Sequence, residues 1–588
     1  PLPIGTAVRR VLARGYRASD LKSDVLAGVL VGVVALPLSM ALAIAVGVPP
    51  QHGLYTAIVG GAVVALLGGC KFQVTGPTAA FVVILAPITS KFGLSGLLTA
   101  GMMAGLLLIG MGFARLGTLV RFIPYPVTTG FTTGIAIVIA ALQVKDAFGL
   151  RPAKLPDHFV ERVGALWSAR GTAQWQEVAV AATTLGLLVG IPRLTKRLPA
   201  PLFALSFSAA AAALLHRFVA GFDIATIGSR FHSTVSGVQI AGIPRVLPSL
   251  GLPWGTSGLS FADVRELLSG AFAIAMLGAI ESLLSATVAD GMTNTRHDSN
   301  AELLALGVGN LLVPFFGGIP ATGALARTAT NIRAGARSPV AAVVHALVVL
   351  LSILVLSPLL AYIPMASLAA LLMLVAWNMS EAHNFVGIVK VAPRSDVAVL
   401  LICFLLTIVF DMVVAVSVGV VLAAVLFMRR MAGLTESRLT LDSSTEEDDV
   451  DAPPPGVILY EINGPLFFGA AQRAMSALHA SSTDRFRVLV LNLARVPVID
   501  ATGLAALENA ISHVLRQKKK VVIAGPLPKP QSVFDKAHLE QKYPGLSIVE
   551  SLENAFQLAG TLAAVVVPET PAIDRGALGG ERRVHRHE

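Results

Sequence analysis

Two stretches, Thr75-Gly76-Pro77-Thr78-Ala79-Ala80-Phe81 and Gly317-Gly318-Ile319-Pro320-Ala321-Thr322-Gly323, decide how this chain folds. Each opens a short apolar segment broken by glycine and proline. Each also holds the third place in one of two successive groups of apolar segments. Paired broken helices at matching places in two halves point to an inverted-repeat transporter with its site near the bilayer midplane. The two segments would enter from opposite sides, so their N-termini face each other. Each N-terminus carries about half a positive charge and unpaired backbone N–H groups, which favours an anion. Glycine and proline can also do no more than kink packed helices; the matching positions favour binding.

Working outward, helical spans of about 17–25 apolar residues are needed to cross the hydrocarbon core. Candidates begin near Val25, His52, Thr75, Leu94, Pro126, Glu177 and Pro201, and again near Val264, Ala301, Ala321, Pro339, Pro364, Val397 and Met412. That is a seven-plus-seven arrangement. Basic residues test the orientation. Arg9, Arg10, Arg14, Arg17 and Lys22 precede the first span. Alternate loops then carry Lys71; Arg115 and Arg121; Arg193, Lys196 and Arg197. The second half continues with Arg333 and Arg337; Lys390 and Arg394; Arg429 and Arg430. Short loops on the other side are nearly free of them, Lys91 excepted. Both termini are therefore expected in the cytoplasm.

Composition agrees. Of 588 residues, 54% are hydrophobic and only 14% charged, against about 25% charged in soluble domains; mean hydropathy is +0.74. An ordinary soluble enzyme, a disordered chain and a disulfide scaffold are excluded, the last because there are 2 cysteines. The net charge of +10 reads as membrane topology rather than nucleic-acid binding. Cys70 and Cys403 lie in or beside apolar stretches and read as packing or lipid-side residues. No removable signal peptide is expected. No metal spacing, nucleophile–base constellation or phosphate-binding loop is found, so neither an enzyme nor a cofactor is expected.

Ionisable residues inside spans are functional candidates. Arg327 follows Gly323 by four residues, on the face that carries Asn331, where a cation would reinforce an anion site. Glu281 falls in mid-span, with Gly278, Ser282, Ser285 and Ala289 on its broad face. Burial disfavours the charged form of a carboxyl, so Glu281 is a candidate proton carrier, the alternative being a structural carboxyl bonded to a neighbouring helix. Asp411 reads as a turn or cap residue. Asp290, Arg296, His297 and Asp298 read as a polar cytoplasmic loop.

The runs Gly278-Ala279-Ile280-Glu281-Ser282-Leu283-Leu284, Asp290-Gly291-Met292, Asn300-Ala301-Glu302-Leu303 and Gly309-Asn310 resemble the sulfate permease (SulP) family. So do Gly76-Pro77-Thr78-Ala79-Ala80 and the stretch from Thr322 through Arg327 and Asn331 to Gly335. The resemblance runs through nearly the whole chain. It implies an α-helical polytopic membrane protein of seven-plus-seven inverted-repeat fold, fourteen segments including two half-helices, with core and gate domains. It also implies a small cytoplasmic α/β STAS domain. Carried over residue by residue, the anion site takes Pro37, Ser39 and Met40 from the first helix and Thr78, Ala79, Ala80 and Phe81 from the third. Glu281 and Ser285 come from the eighth, and Ala324, Leu325, Ala326 and Arg327 from the tenth. Where many members carry glutamine after the proline, this chain has Leu38.

The expected activity is secondary active transport of sulfate, bicarbonate or a small dicarboxylate across the inner membrane. Proton-coupled symport through Glu281 and an elevator-like movement are expected. Alternatives are sodium-coupled bicarbonate uptake, a passive anion channel or exchanger regulated by the STAS domain, and a membrane-tethered sensor. Expected partners are the small anion, the coupling ion, the lipid bilayer and a second copy in a homodimer, with a possible regulatory protein at the STAS domain and no nucleic acid.

Beyond Arg430 the composition changes. The expected organisation is a cytoplasmic segment 1–24, a first membrane repeat 25–220, an extracytoplasmic loop 221–263 and a second repeat 264–430. An acidic, proline-rich linker 431–455 holds Glu446, Glu447, Asp448, Asp449 and Asp451, and such a run is expected to be disordered. Strands Val457–Ile462, Val488–Leu493, Val521–Ala524 and Leu546–Val549 alternate with helices after Gly464 and from Thr502, in domain 456–565. Asp500-Ala501-Thr502-Gly503-Leu504 opens a helix as in STAS domains. The resemblance makes Thr502 a candidate phosphate acceptor, although a helix N-cap is its more ordinary role. Residues 566–588, with Arg582, Arg583, His585 and His587, read as a disordered tail.

Overall fold

The structure is a computed structural model that describes residues 4–118, 124–156, 158–195, 199–219, 221–235, 238–255, 258, 260–410, 412–433, 436–440, 453–467 and 486–564. It divides into two compact units, Pro1–Ala423 and Ala424–Glu588. The expectations that concern Arg121, Lys196, Arg197, Asp411, the acidic residues Glu446–Asp451, the helix after Gly464 and the tail 566–588 lie wholly or largely outside the described residues.

In the first unit the main helices are α1 (Ala18–Val46), α2 (Pro50–Leu67), α3 (Ala79–Phe113), α4 (Tyr125–Ala147), α5 (Trp175–Leu194) and α6 (Ala200–Phe218). They continue with α7 (Phe261–Thr293), α8 (Ser299–Phe316), α9 (Leu325–Arg333), α10 (Val340–Leu360) and α11 (Met365–Val391). Last come α12 (Arg394–Val409) and α13 (Met412–Gly433), whose residues from Ala424 onward count with the second unit. Ten of these are long and apolar enough to cross a membrane among the described residues; α9, α12 and α13 fall outside that set. The spans expected from Thr75 and Leu94 form one element, α3, broken inside at Gly93 (φ 67°, ψ −168°). Only glycine takes that conformation without strain.

Lipid tails are as apolar as leucine, so membrane helices associate through close backbone approach at small residues. Here α1 lies on α10: a Cβ at Gly28 would come 2.5 Å from the Ala341 carbonyl. α3 and α8 cross where Gly105 and Gly307 face each other, each hypothetical Cβ within 3 Å of the other's carbonyl oxygen. α4 meets α12 through Gly130 and Gly134, against Leu400 and Thr407. The result is two packed groups, α1–α3 with α7–α10, and α4–α6 with α11–α13. A buried hydroxyl trio pins the second group. Thr184 of α5 meets Ser208 of α6 at 2.7 Å and Ser367 of α11 at 2.9 Å. Cys70 and Cys403 are both buried packing residues.

Two short strand pairings matter less for mass than for position. β1 (Thr75–Gly76) precedes α3, and β4 (Thr322–Gly323) precedes α9; the two pair antiparallel. Between α6 and α7, β2 (His232–Val235) and β3 (Val238–Ala241) form a hairpin.

The second unit is a five-stranded sheet ordered β5 (Glu436–Thr440), β6 (Val457–Asn463), β7 (Val488–Arg495), β8 (Lys520–Ala524) and β9 (Leu546–Val549). The four strands β6–β9 run parallel, while β5 pairs antiparallel on β6. Parallel strands are covered on both faces and read as continuous apolar runs, as in Val488-Leu489-Val490-Leu491. Leu489 and Leu491 join Leu507 and Ile511 of α14 (Ala501–Arg516) on one face; Val488 and Val490 join Ala555 and Ala559 of α16 (Leu552–Ala564) on the other. Helix α15 (Pro528–Lys536) adds Phe534 to the first face. Strand β5 falls inside the stretch expected to be linker. Its five residues carry no apolar alternation, and its place comes from the free edge of β6. The helix cap also differs from expectation: Asp500, not Thr502, caps α14, accepting from the Gly503 amide at 2.7 Å. Thr502 is exposed in the first turn.

Candidate functional site

Because β1 and β4 pair antiparallel, in register Thr75↔Gly323 and Gly76↔Thr322, the helices that follow them leave in opposite directions. The N-termini of α3 and α9 therefore meet at one junction. The first amides of any helix lack intrahelical partners. Here neither helix supplies them with a side-chain cap. Ala324, the N-cap of α9, has nothing to offer, and Thr78, the N-cap of α3, sends its hydroxyl elsewhere. Thr78 Oγ1 donates to Glu281 Oε2 of α7 at 2.8 Å. Two sets of amide donors are thus left for a ligand.

The expected residues separate by exposure. Leu325 and Ala326 are exposed, and Thr78 and Glu281 half-buried, so these four form the accessible edge of the junction. Ala79, Ala80, Phe81 and Ala324 are buried side chains whose contribution is backbone. Ser285 is buried and donates to Thr328 of α9 at 3.2 Å, which removes it from the accessible edge. Met40 and Ser39 are fully buried on α1, and the Ser39 hydroxyl has no partner. Pro37 lines an apolar crevice of about 510 Å3 with Leu36, Leu202, Leu205, Leu360 and Tyr362, between α1, α6 and α10.

Arg327 does not point at the accessible edge. Its side chain is 2% exposed, and Nη2 donates to the Pro77 carbonyl at the end of β1. Nη1 lies against Gly76, where a Cβ would come 2.5 Å from it; Nη1 and Nε have no partner. Its charge acts on the junction from behind the strand, within electrostatic reach of Glu281. Beyond it, on α10, His345 is fully buried with neither ring nitrogen in a hydrogen bond of ordinary geometry.

The scaffold around the junction contains residues to which the sequence reading gave no role. Glu302 of α8, 1% exposed, accepts from the Gly69 and Cys70 amides at 2.8 and 2.9 Å through Oε2 and from Gln73 Nε2 at 2.8 Å through Oε1. The same Gln73 nitrogen donates to Ser282, beside Glu281, at 2.6 Å. Asn331 of α9 holds the Phe72 carbonyl at 2.9 Å, and Thr328 accepts from the Val74 amide at 3.1 Å. The approach to β4 is held likewise. Asn310 bonds the Ala321 amide and carbonyl, each at 2.8 Å, and Thr56 donates to the Ile319 carbonyl at 2.9 Å. A polar residue inside an apolar span was the available signal for Glu302 and Asn310, as it was for Glu281.

Corrections fall on the α7–α8 connection, expected as a polar loop. Asp290 belongs to the last turn of α7, and Asp298 caps α8 by accepting from the Asn300 and Ala301 amides. His297 is buried and meets Asp290 at 2.7 Å. At the start of α1, Asp24 is fully buried and accepts from the Arg337 amide, the Ser338 amide and hydroxyl, and Tyr16. Partial burial and the Asp24 bond push the Tyr16 hydroxyl up to about 12. No cluster of metal-ligating side chains occurs among the described residues.

The sulfate permease family model matches residues 21–403, nearly all of the first unit. The chain belongs to the sulfate permease family. A STAS domain matches residues 452–555. The candidate sulfate transporter YvdB of Bacillus subtilis is 39% identical over 90% of this chain and 96% of its own length. The bicarbonate transporter BicA of Picosynechococcus is 30% identical, covering 92% and 95%. Among solved structures, SLC26A9 matches with a TM-score of 0.81 at 19% identity, over 95% of this chain and 93% of that one. The chain is thus a multi-pass membrane transporter with a STAS domain, and not an enzyme.

Proposed function

We propose that the protein carries sulfate, bicarbonate or a small dicarboxylate by proton-coupled symport, binding the anion between the N-termini of α3 and α9. The observation that carries this is the β1–β4 junction: two uncapped helix N-termini, the buried charge of Arg327 behind them and Glu281 at their edge. Each N-terminus contributes roughly 0.3–2 kcal/mol toward an anion, so neither suffices alone and the pairing matters. Binding residues are Pro37, Ser39, Met40, Thr78, Ala79, Ala80, Phe81, Glu281, Ser285, Ala324, Leu325, Ala326 and Arg327. Of these, Thr78, Glu281, Leu325 and Ala326 make direct contact by side chain or rim, and the buried members shape the site. Glu281 carries the proton.

The fourteen segments counted by dividing α3 at Gly93, two of them half-helices, make up the inner-membrane unit, with both termini cytoplasmic. The domain limits are those read from the sequence, apart from β5. Movement is elevator-like, the group containing the junction sliding against the other; the division of the first unit into two packed groups supports this reading. The assembly is a homodimer, and Thr502, exposed at the start of α14, is a regulatory phosphate acceptor. The likeness to the bicarbonate transporter BicA favours bicarbonate among these anions; the second reading is sodium-coupled bicarbonate uptake.

The test is uptake into proteoliposomes of labelled sulfate, bicarbonate, fumarate and succinate under imposed proton or sodium gradients. Wild type is expected to accumulate one of them under a proton gradient. Arg327→Ala is expected to abolish uptake with normal membrane insertion, and Glu281→Gln to remove the dependence on the proton gradient. Full transport by Arg327→Ala would refute the site; accumulation driven by sodium alone would establish the second reading.

A further inference from the structure

We propose that Thr78 is the coupling element between proton and anion, a hydroxyl whose donor direction reverses when Glu281 takes up a proton. This rests on the anion site and the proton-carrying role of Glu281 given above.

An ionised carboxylate only accepts hydrogen bonds, whereas a hydroxyl has one donor hydrogen and rotates to suit its surroundings. At 2.8 Å, Thr78 must therefore give its single hydrogen to ionised Glu281. Its oxygen then turns lone pairs, not a donor, toward the junction, the wrong polarity for an anion. Protonation changes the pair. One proton from solvent adds to a Glu281 carboxyl oxygen, and the new O–H donates to Thr78 Oγ1. The Thr78 hydrogen, released from that bond, rotates about Cβ–Oγ1 toward the site. No other proton moves and no covalent bond of Thr78 breaks. The site gains one hydroxyl donor and loses one nearby negative charge in the same event.

Position supports this role. Thr78 is the N-cap of α3, yet its oxygen accepts from no amide of the first turn, so it is free to rotate. It is half-buried, with one side against Glu281 and the other on the accessible edge. The charged and titratable groups around the pair come from each neighbouring element. Arg327 of α9 lies within electrostatic reach of Glu281, and His345 of α10 faces Arg327 from behind. Glu302 of α8 is separated from the α7 backbone by Gln73 and Ser282. None of these hydrogen-bonds Thr78, so its hydrogen has two destinations, the carboxylate or the ligand.

The experiment measures calorimetric affinity for sulfate and for bicarbonate in the purified full-length protein at about pH 6 and about pH 8. A hydrogen bond to a charged group is worth enough for about a tenfold change in affinity. Wild type is expected to bind at least about tenfold more tightly at the lower pH. Thr78→Ser, which keeps the hydroxyl, retains that ratio. Thr78→Val removes the hydroxyl contribution, so its ratio falls by about tenfold relative to wild type, whatever its absolute affinity. Thr78→Cys, with its weak thiol donor, lies between and serves if the valine variant is not obtained folded. A wild-type ratio in Thr78→Val or Thr78→Cys overturns the relay. Glu281→Gln is expected to show no ratio at all; a wild-type ratio there refutes Glu281 as proton carrier, a failure distinct from that of Thr78.

Discussion

Replacing Glu302 tests whether the anion site depends on a carboxyl that never touches it. Its two oxygens satisfy the Gly69 and Cys70 amides and the Gln73 side chain, at 2.8–2.9 Å, in a place with 1% exposure. In Glu302→Ala, two buried backbone donors lose their acceptor. Each orphan costs roughly 1–3 kcal/mol, so the pair costs about 2–6 kcal/mol, and the emptied volume adds to this. Gln73 retains Ser282 at 2.6 Å and adds little. In Glu302→Gln one oxygen remains for the two amides. Gln73 meets the new amide by flipping, so only the charge assistance is lost, about 1–3 kcal/mol. The expected order of thermal midpoints in detergent is therefore wild type, then glutamine, then alanine. Anion affinity should follow the same order, because residues 69–74 lead directly into β1. Should the alanine variant melt and bind like wild type, the carboxyl does not hold the junction. Should glutamine prove worse than alanine, the negative charge matters rather than the acceptors.

Three further expectations are independent of that one. A Cβ at Gly323 would overlap the Gln73 amide and come 3.0 Å from Ser282 Cα; Gly323→Ala should cost about 1–3 kcal/mol through overpacking and weaken sulfate or bicarbonate binding at least about tenfold, measured by calorimetry. Tyr16, raised from 10.0 to about 12, is held protonated in the folded state, so its contribution is complete below about pH 10 and is lost as the pH rises toward 12. The stability difference between wild type and Tyr16→Phe should accordingly stay flat through neutral pH and shrink only above about pH 10 in thermal scans. Asp500→Ala removes the α14 cap and should loosen that helix by roughly 0.5–2 kcal/mol, read as faster amide exchange over residues 501–506 in the full-length chain.

Periodicity, apolar length and the two broken segments made the membrane unit legible, because helices in lipid must satisfy their own backbone and so announce themselves by composition. The parallel sheet of the second unit was legible for a related reason: strands covered on both faces are apolar throughout. What stayed hidden depends on contacts between distant residues. Nothing local marks Gln73 as the group between Glu302 and Ser282, or shows that Ser285 turns to Thr328. The orientation of Arg327 was hidden as well. Its sequence position implied a cation facing the anion, and only the packing against Gly76 and Pro77 shows it sealed behind the strand. Strand β5 escaped because a five-residue edge strand is specified by the partner it pairs with. Asp500 displaced Thr502 as cap through a difference of two residues, which sequence spacing does not resolve.

The β1–β4 pair has a consequence for the origin of the site. Both strands read Thr-Gly, and the antiparallel register sets each threonine opposite the other strand's glycine. Such a segment is complementary to a copy of itself, the same property that lets an isologous patch close a two-fold dimer. A single half of this protein, pairing with its twin in inverted orientation, would already assemble the junction with both helix ends in place. The first half places Thr78 at the N-cap of α3 and the second places Arg327 on α9, so an asymmetry of hydroxyl and guanidinium overlies a joint that is symmetric in its backbone register.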